Sequence, residues 1–90
     1  ILEDLSIVVD SSLPVDTFAS FILETGKPLL RNVSLFDVYE GDQMESGKRS
    51  LSYSLVFQAK DKTLTDKEVE KIRKKIVERL REKFNVTLRA

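Results

Sequence analysis

The run Ser50-Leu51-Ser52-Tyr53-Ser54-Leu55-Val56-Phe57 sets four large side chains, Leu51, Tyr53, Leu55 and Phe57, at every second position, with smaller residues between them. A period of two sends all four to one side of an extended chain, so the segment from Ser50 to Gln58 reads as a strand with one buried and one open face. Upstream, Leu30 to Tyr39 repeats the strand pattern. The segment between, Glu40 to Arg49, is polar, contains two glycines and is too long for a two-residue hairpin turn. Two consecutive antiparallel strands joined by an exposed, mobile loop are therefore expected.

The flanks complete the pattern. Leu5, Ile7 and Val9 alternate with Ser6, Val8 and Asp10, which predicts a strand over 3–10 closed by the turn signal Ser11-Ser12-Leu13-Pro14. Val15, Phe18, Ala19 and Ile22 recur at helical spacing, with Pro14 near the start and Gly26-Lys27-Pro28 after the end, so 14–25 should be helical. Thr65-Asp66-Lys67-Glu68 has the form of a capping box, and Val69, Ile72, Ile76, Leu80 and Phe84 follow as one apolar stripe. Val86 and Leu88 make a short last strand. The order strand, helix, strand, strand, helix, strand predicts an α+β fold: a ferredoxin-like βαββαβ sandwich, with a four-stranded antiparallel sheet and both helices on one face. Ninety residues hold one such core and not two, so 1–90 reads as a single domain. The opening Ile1-Leu2-Glu3, with neither Met nor a basic leader, reads as part of a longer chain.

Two helices cover one side of a sheet, and alternation then sorts the strands. Leu5, Ile7, Val9, Phe36, Val38, Leu51, Tyr53, Leu55, Phe57, Val86 and Leu88 are expected in the core. Ser6, Val8, Val33, Leu35, Asp37, Tyr39, Ser50, Ser52, Ser54, Val56, Thr87 and Arg89 are expected on the open face.

Composition removes most chemistries. With no Cys and no His, thiol nucleophiles, Ser-His-Asp relays, disulfides and nearly all zinc sites are excluded. Gly26, Gly41 and Gly47 lie too far apart for a nucleotide-binding loop, so no cofactor is expected in this chain. No apolar run approaches the ~20 residues of a membrane span, and no membrane partner is expected. Fifteen basic and fifteen acidic residues cancel, leaving no global field to attract a polyanion. The spacing of Asp37, Glu40, Asp42 and Glu45 lacks the rhythm of a calcium loop. The basic residues of the last helix are interspersed with acids and read as a solvated face. The open face remains: an exposed Tyr ring can stack a base while hydroxyls, a carboxylate and an Arg fork hold edges and phosphate, which suits single-stranded RNA. The same set also fits an ordinary solvated sheet.

Three motifs in order, Leu35-Phe36-Asp37-Val38-Tyr39-Glu40-Gly41, Gly47-Lys48-Arg49-Ser50-Leu51 and Lys62-Thr63-Leu64-Thr65-Asp66-Lys67-Glu68-Val69, closely resemble the ferredoxin-fold anticodon-binding domain. The resemblance runs from about Glu3 to Arg89. It implies a non-catalytic module of phenylalanyl-tRNA synthetase that binds the anticodon stem-loop of phenylalanine tRNA. Its partners would then be that tRNA, the remainder of the β chain and the α chain. The parent would be a phenylalanine–tRNA ligase using ATP and Mg²⁺ in a distant catalytic module, cytoplasmic in a bacterium or in the organellar matrix for the single-chain form. By the same resemblance the RNA-facing positions fall on Ser6, Asp37, Tyr39, Ser50 and Arg89. Where the family commonly places Arg before Asp-Leu in the first strand, this chain has Glu3. Two other functions share the fold. A regulatory domain of the ACT type would carry a glycine-bearing ligand loop after the first strand, and an acylphosphatase an Arg in a glycine-containing loop there. Ser11-Ser12-Leu13-Pro14 offers neither.

Overall fold

In the computed structural model, which describes residues 1–41 and 44–89, the alternating run is the centre of strand β3 (Lys48–Phe57). The chain order is β1 (Leu2–Asp10), α1 (Asp16–Gly26), β2 (Leu30–Tyr39), β3, α2 (Asp66–Phe84) and β4 (Thr87–Leu88). The sheet is antiparallel in the order β2-β3-β1-β4, and β3 and β1 are its inner strands. This is the expected βαββαβ sandwich.

The core follows from the register of β1 on β3. Leu5 opposes Tyr53 and Ile7 opposes Leu51, so their side chains leave the sheet on the same side. Leu5, Ile7, Leu51, Tyr53, Leu55 and Phe57 are all buried, together with Phe18 and Ile22 of α1 and Val69, Ile76, Val77 and Leu80 of α2. Phe84 ties the helices together: its ring meets Phe18 and Phe21 edge-on, with centroids 5.1 and 5.2 Å apart. The capping box at Thr65 and Glu68 forms as read from the sequence. Asn85 ends α2 in the left-handed region at φ 56°, where its short amide side chain is tolerated, and its N–H donates to the Arg81 carbonyl. Helix α1 begins at Asp16, two residues later than expected, with Val15 at its N-cap supplying no side-chain bond.

Strand β2 departs from simple alternation. Leu30 opposes Phe57 but Asn32 opposes Val56, and Leu35 opposes Tyr53 but Asp37 opposes Ser52. Each irregularity inserts one residue, Arg31 and then Phe36, and each flips which side the following residues face. Val33 and Leu35, expected on the open face, therefore lie opposite Leu55 and Tyr53 on the helix side. The second bulge restores the phase, so Asp37 and Tyr39 return to the open face. Phe36, expected in the core, is the inserted residue and is 58% exposed. Val38 and Leu88 do face the helix side, opposite Leu51 and Ile7, but on edge strands the helices do not cover them and they remain 44% and 37% exposed.

The segment read as a mobile loop includes Asp42 and Gln43, which lie outside the described residues. On either side of them, the Met44 N–H donates to the Gly41 carbonyl and the Lys48 N–H to the Glu45 carbonyl. Strand β3 starts at Lys48, two residues before the alternation becomes visible, after Gly47 at φ +80°.

Two outcomes follow from this packing. Thr65→Ala removes the hydroxyl that accepts the Glu68 N–H and should cost about 1 kcal/mol in a urea denaturation series, with Thr65→Ser nearly neutral. Burial pushes the Tyr53 hydroxyl from 10.0 up to about 12. The raised value means that its share of stability is complete below pH 10 and is lost as pH climbs towards 12, so thermal melts should fall over that window and fall less in Tyr53→Phe.

Candidate nucleic-acid interface

The register places the expected site residues on two adjacent cross-strand rows of the open face. The first row runs Asp37, Ser52, Ser6 and then Arg89, whose N–H donates to the Ser6 carbonyl at 3.0 Å. The second runs Tyr39, Ser50, Val8 and Thr87. Neighbouring strands lie about 4.8 Å apart and alternate residues about 7 Å apart along a strand, so all five residues share one patch. Asp37 and Arg89 stand exposed at its two edges, while Ser6 and Tyr39 are half-buried.

Arg89, though exposed, folds back over the sheet. Its guanidinium carbon sits 5.0 Å from the centroid of the Tyr39 ring, although Arg89 belongs to one edge of the sheet and Tyr39 to the other. The side chain must cross the inner strands to make this cation–π contact. Between those two edges, on the face without helices, Ser50 and Ser52 are only 1% and 7% exposed. Ser52 shares a hydrogen bond with Ser6, Oγ to Oγ at 2.8 Å, whereas the Ser50 hydroxyl is buried without a partner. A buried hydroxyl with nothing to bond is costly, and a ligand that supplies a partner recovers that cost.

Sequence reading missed two contributors. Ser52 was placed on the open face by alternation but was not among the site residues; its bond to Ser6 holds both hydroxyls in one row. Gly41 sits so close to Tyr39 that a Cβ there would lie 2.9 Å from the Tyr39 hydroxyl oxygen, so the absence of a side chain at 41 sets where the ring lies. The Tyr-x-Gly spacing was the available signal. Glu3, by contrast, opposes Leu55 on the helix side and lines a cleft of ≈ 590 Å³ with Asp4, Asp66, Glu70 and Arg73, away from both rows.

The electrostatics of the open face are mixed. By register it carries Asp4, Asp10 and Asp37 against Lys48 and Arg89. The Ser12 N–H and hydroxyl bond to Asp10 at 2.9 and 2.7 Å and hold its carboxyl below the usual carboxylate range. Among the described residues no three His, Cys, Asp or Glu side chains are grouped to hold a metal ion. What the two rows offer is a flat surface with one aromatic face, one cation, one carboxylate and a line of hydroxyls, suited to stacking and hydrogen bonding.

If the Arg89 side chain lies on Tyr39 in the free chain, its methylene protons will resonate upfield of random coil through the ring current. NMR of Tyr39→Leu should return them to ordinary positions, and an unshifted Arg89 in the unsubstituted chain would contradict the contact.

A profile of the family described as the ferredoxin-fold anticodon binding domain matches residues 1–89. Among curated relatives, the phenylalanine–tRNA ligase beta subunit of Moorella thermoacetica is 45% identical over 87 residues, which cover 97% of this chain and 11% of that protein. The corresponding subunit of Trichormus variabilis is 42% identical over 88 residues, 98% of this chain and 11% of its own length. That of Geobacillus kaustophilus is 38% identical over 89 residues, 99% and 11% respectively. The chain thus spans about a tenth of the length of these relatives.

Proposed function

The chain belongs to the ferredoxin-fold anticodon-binding domain family, and from that premise we propose that it reads the anticodon stem-loop of phenylalanine tRNA through the open face of its sheet, as a non-catalytic module of a phenylalanine–tRNA ligase β chain. The observation that supports this use of the face is the Arg89–Tyr39 stack together with the Ser50 hydroxyl, which lies opposite Tyr39 and is buried without a partner among the described residues. A flat aromatic seat, a movable cation above it and a hydroxyl in want of a partner beside it are what an unstacked base requires.

In this reading an anticodon base takes the seat on Tyr39 that the guanidinium holds in the free chain. Arg89, released, turns to a phosphate, for which its planar fork is suited. Ser50 gains its partner from the base edge or a ribose hydroxyl. Asp37 at the β2 edge accepts from an exocyclic amino group or a 2′-hydroxyl, and the Ser6–Ser52 pair continues the hydrogen-bonding row towards β4. Discrimination comes from these bonds, because stacking accepts any base.

Catalysis belongs to the rest of the enzyme. ATP and Mg²⁺ would be bound in a distant catalytic module of the ligase. The partners are the tRNA, the remainder of the β chain and the α chain. Holding the tRNA at its anticodon end orients the acceptor end towards the active site, and tethering raises the effective concentration of the reader, so a near-neutral domain need not bind tightly alone. The relatives cited here are bacterial proteins and no helix of the described residues is long and apolar enough to cross a membrane; a bacterial cytoplasmic setting is the one proposed. Family membership favours this reading over a regulatory domain of the ACT type on the same fold.

Stacking on an aromatic side chain is worth about 1–3 kcal/mol per base, so Tyr39→Leu should weaken binding of the anticodon hairpin by a factor of roughly 5 to 150 by calorimetry. In the whole ligase, Tyr39→Ala should depress tRNA charging while leaving ATP–pyrophosphate exchange unchanged. Equal loss of both activities, or no loss of charging, would contradict the assignment.

A further inference from the structure

The last helix carries a feature that the reading face does not use. Lys67, Lys71, Lys75, Arg79 and Lys83 follow one another at intervals of four residues along α2, and all five are exposed. Residues four apart on a helix are neighbours, so these form a cationic ridge with a step of about 6 Å that climbs about 24 Å along the axis while winding about 160° around the helix. Lys74 lies beside its first half. Such a row is locally unfavourable: like charges at this spacing repel, and a cation as early as Lys67 stands at the positive end of the helix dipole. Acids at helical spacing, Glu70 from Lys67 and Lys74, Glu68 from Lys71 and Glu78 from Lys74 and Lys75, offset the repulsion only in part. The ion pairs among the described residues are Lys27 with Glu24 and Lys62 with Glu68, and none includes a ridge residue. Lys83 alone has another contact, over the rings of Phe21 and Phe84 at 5.1 and 5.6 Å.

The ridge also breaks the balance of the chain. Asp66–Phe84 contains eight basic and five acidic residues, so the other elements carry the compensating excess of acid. The open face of the sheet, with three carboxylates and two cations, does not by itself draw a phosphate backbone. Acids flank both halves of the ridge, Asp66, Glu68 and Glu70 the first and Glu78 and Glu82 the second; the first half keeps the larger excess, with five cations against three acids over 66–75 and three against two over 76–84.

We infer that the α2 ridge is a second, sequence-independent contact for the phosphodiester backbone of RNA, separate from the base-reading rows and on the opposite side of the sheet. Its step is of the order of the separation between neighbouring phosphates on one strand, and its flexible lysines suit point contacts to phosphate better than bidentate reading of bases. It goes beyond the proposed reading function and does not depend on it. A backbone held there adds affinity and rate of encounter, while selectivity stays with Tyr39 and the serines.

The test uses a base-paired RNA duplex without a loop, which offers the reading face nothing to stack, and follows its binding by fluorescence anisotropy from low to moderate salt. With about four phosphate contacts, log K should fall against log salt with a slope of about −3 to −4. The double substitution Lys71→Gln and Lys75→Gln touches only exposed side chains, and circular dichroism verifies that α2 is kept. It should weaken duplex binding about tenfold at low salt and reduce the slope by about 1.5 to 2. Tyr39→Leu should leave duplex binding unchanged, which separates this contact from the anticodon reading. An unchanged slope in the double variant, or no binding of the duplex at low salt, would overturn the inference. Displacement of the duplex by poly-glutamate of equal charge at equal concentration would overturn it as well, since it would make the ridge a seat for an acidic protein.

Discussion

The antiparallel pairing of β1 with β3 is the constraint on which the rest of the molecule depends. Nine consecutive pairs, from Leu2 opposite Val56 to Asp10 opposite Lys48, run without a register break. Because the side-chain period is two, that unbroken ladder sends Leu5, Ile7, Leu51, Tyr53 and Leu55 to one side and Ser6, Ser50, Ser52 and Ser54 to the other. One side binds the helices and makes the core. The other, excluded from the core by the same pleat, becomes the row of hydroxyls between Tyr39 and Arg89. A slip of one residue would exchange the two and remove core and candidate site together.

The edges adapt to this centre. β2 pairs with β3 through two bulges whose effects on phase cancel, so the strand starts and finishes in the phase that simple alternation predicts and is inverted between. That is why Asp37 and Tyr39 were legible in the sequence while Val33, Leu35 and Phe36 were not. A bulge depends on where a partner strand closes its hydrogen bonds, and the one-dimensional pattern of Leu30 to Tyr39 does not mark it. The facing of the inner strands, by contrast, was legible from Ser50 to Phe57 and from Leu5 to Val9, because both faces of an inner strand are constrained by its neighbours. The capping box of α2 was equally plain, since Thr65 and Glu68 carry the complete chemistry of a helix start; α1, capped by no side chain, left its first residue uncertain by a turn fragment.

The candidate site shows a similar division. Which of the site residues face outward followed from alternation, and which of those are proposed to bear on RNA came from the resemblance of three motifs. Neither could show that Arg89 reaches across the sheet to Tyr39, that the Ser50 hydroxyl is buried without a partner among the described residues, or that Gly41 sets the Tyr39 hydroxyl by being too close for a side chain. The first is a consequence of placing two edge strands on opposite sides of a narrow sheet, where a long side chain at one edge spans the inner strands. Charge, read as a total, was also misleading: a net of zero conceals a basic helix behind the sheet and a weakly acidic surface in front.

The central claim is that the open face, and within it the two rows from Asp37 to Arg89 and from Tyr39 to Thr87, is where bases are read. An NMR titration of the chain with the phenylalanine anticodon hairpin, set against a hairpin of the same stem with a scrambled loop, tests it most directly. The account predicts shifts at Ser6, Asp37, Tyr39, Ser50, Ser52 and Arg89 with the first hairpin and much smaller ones with the second. Equal responses of those residues to both loops, or a response to the anticodon loop confined to the helix side, would contradict it.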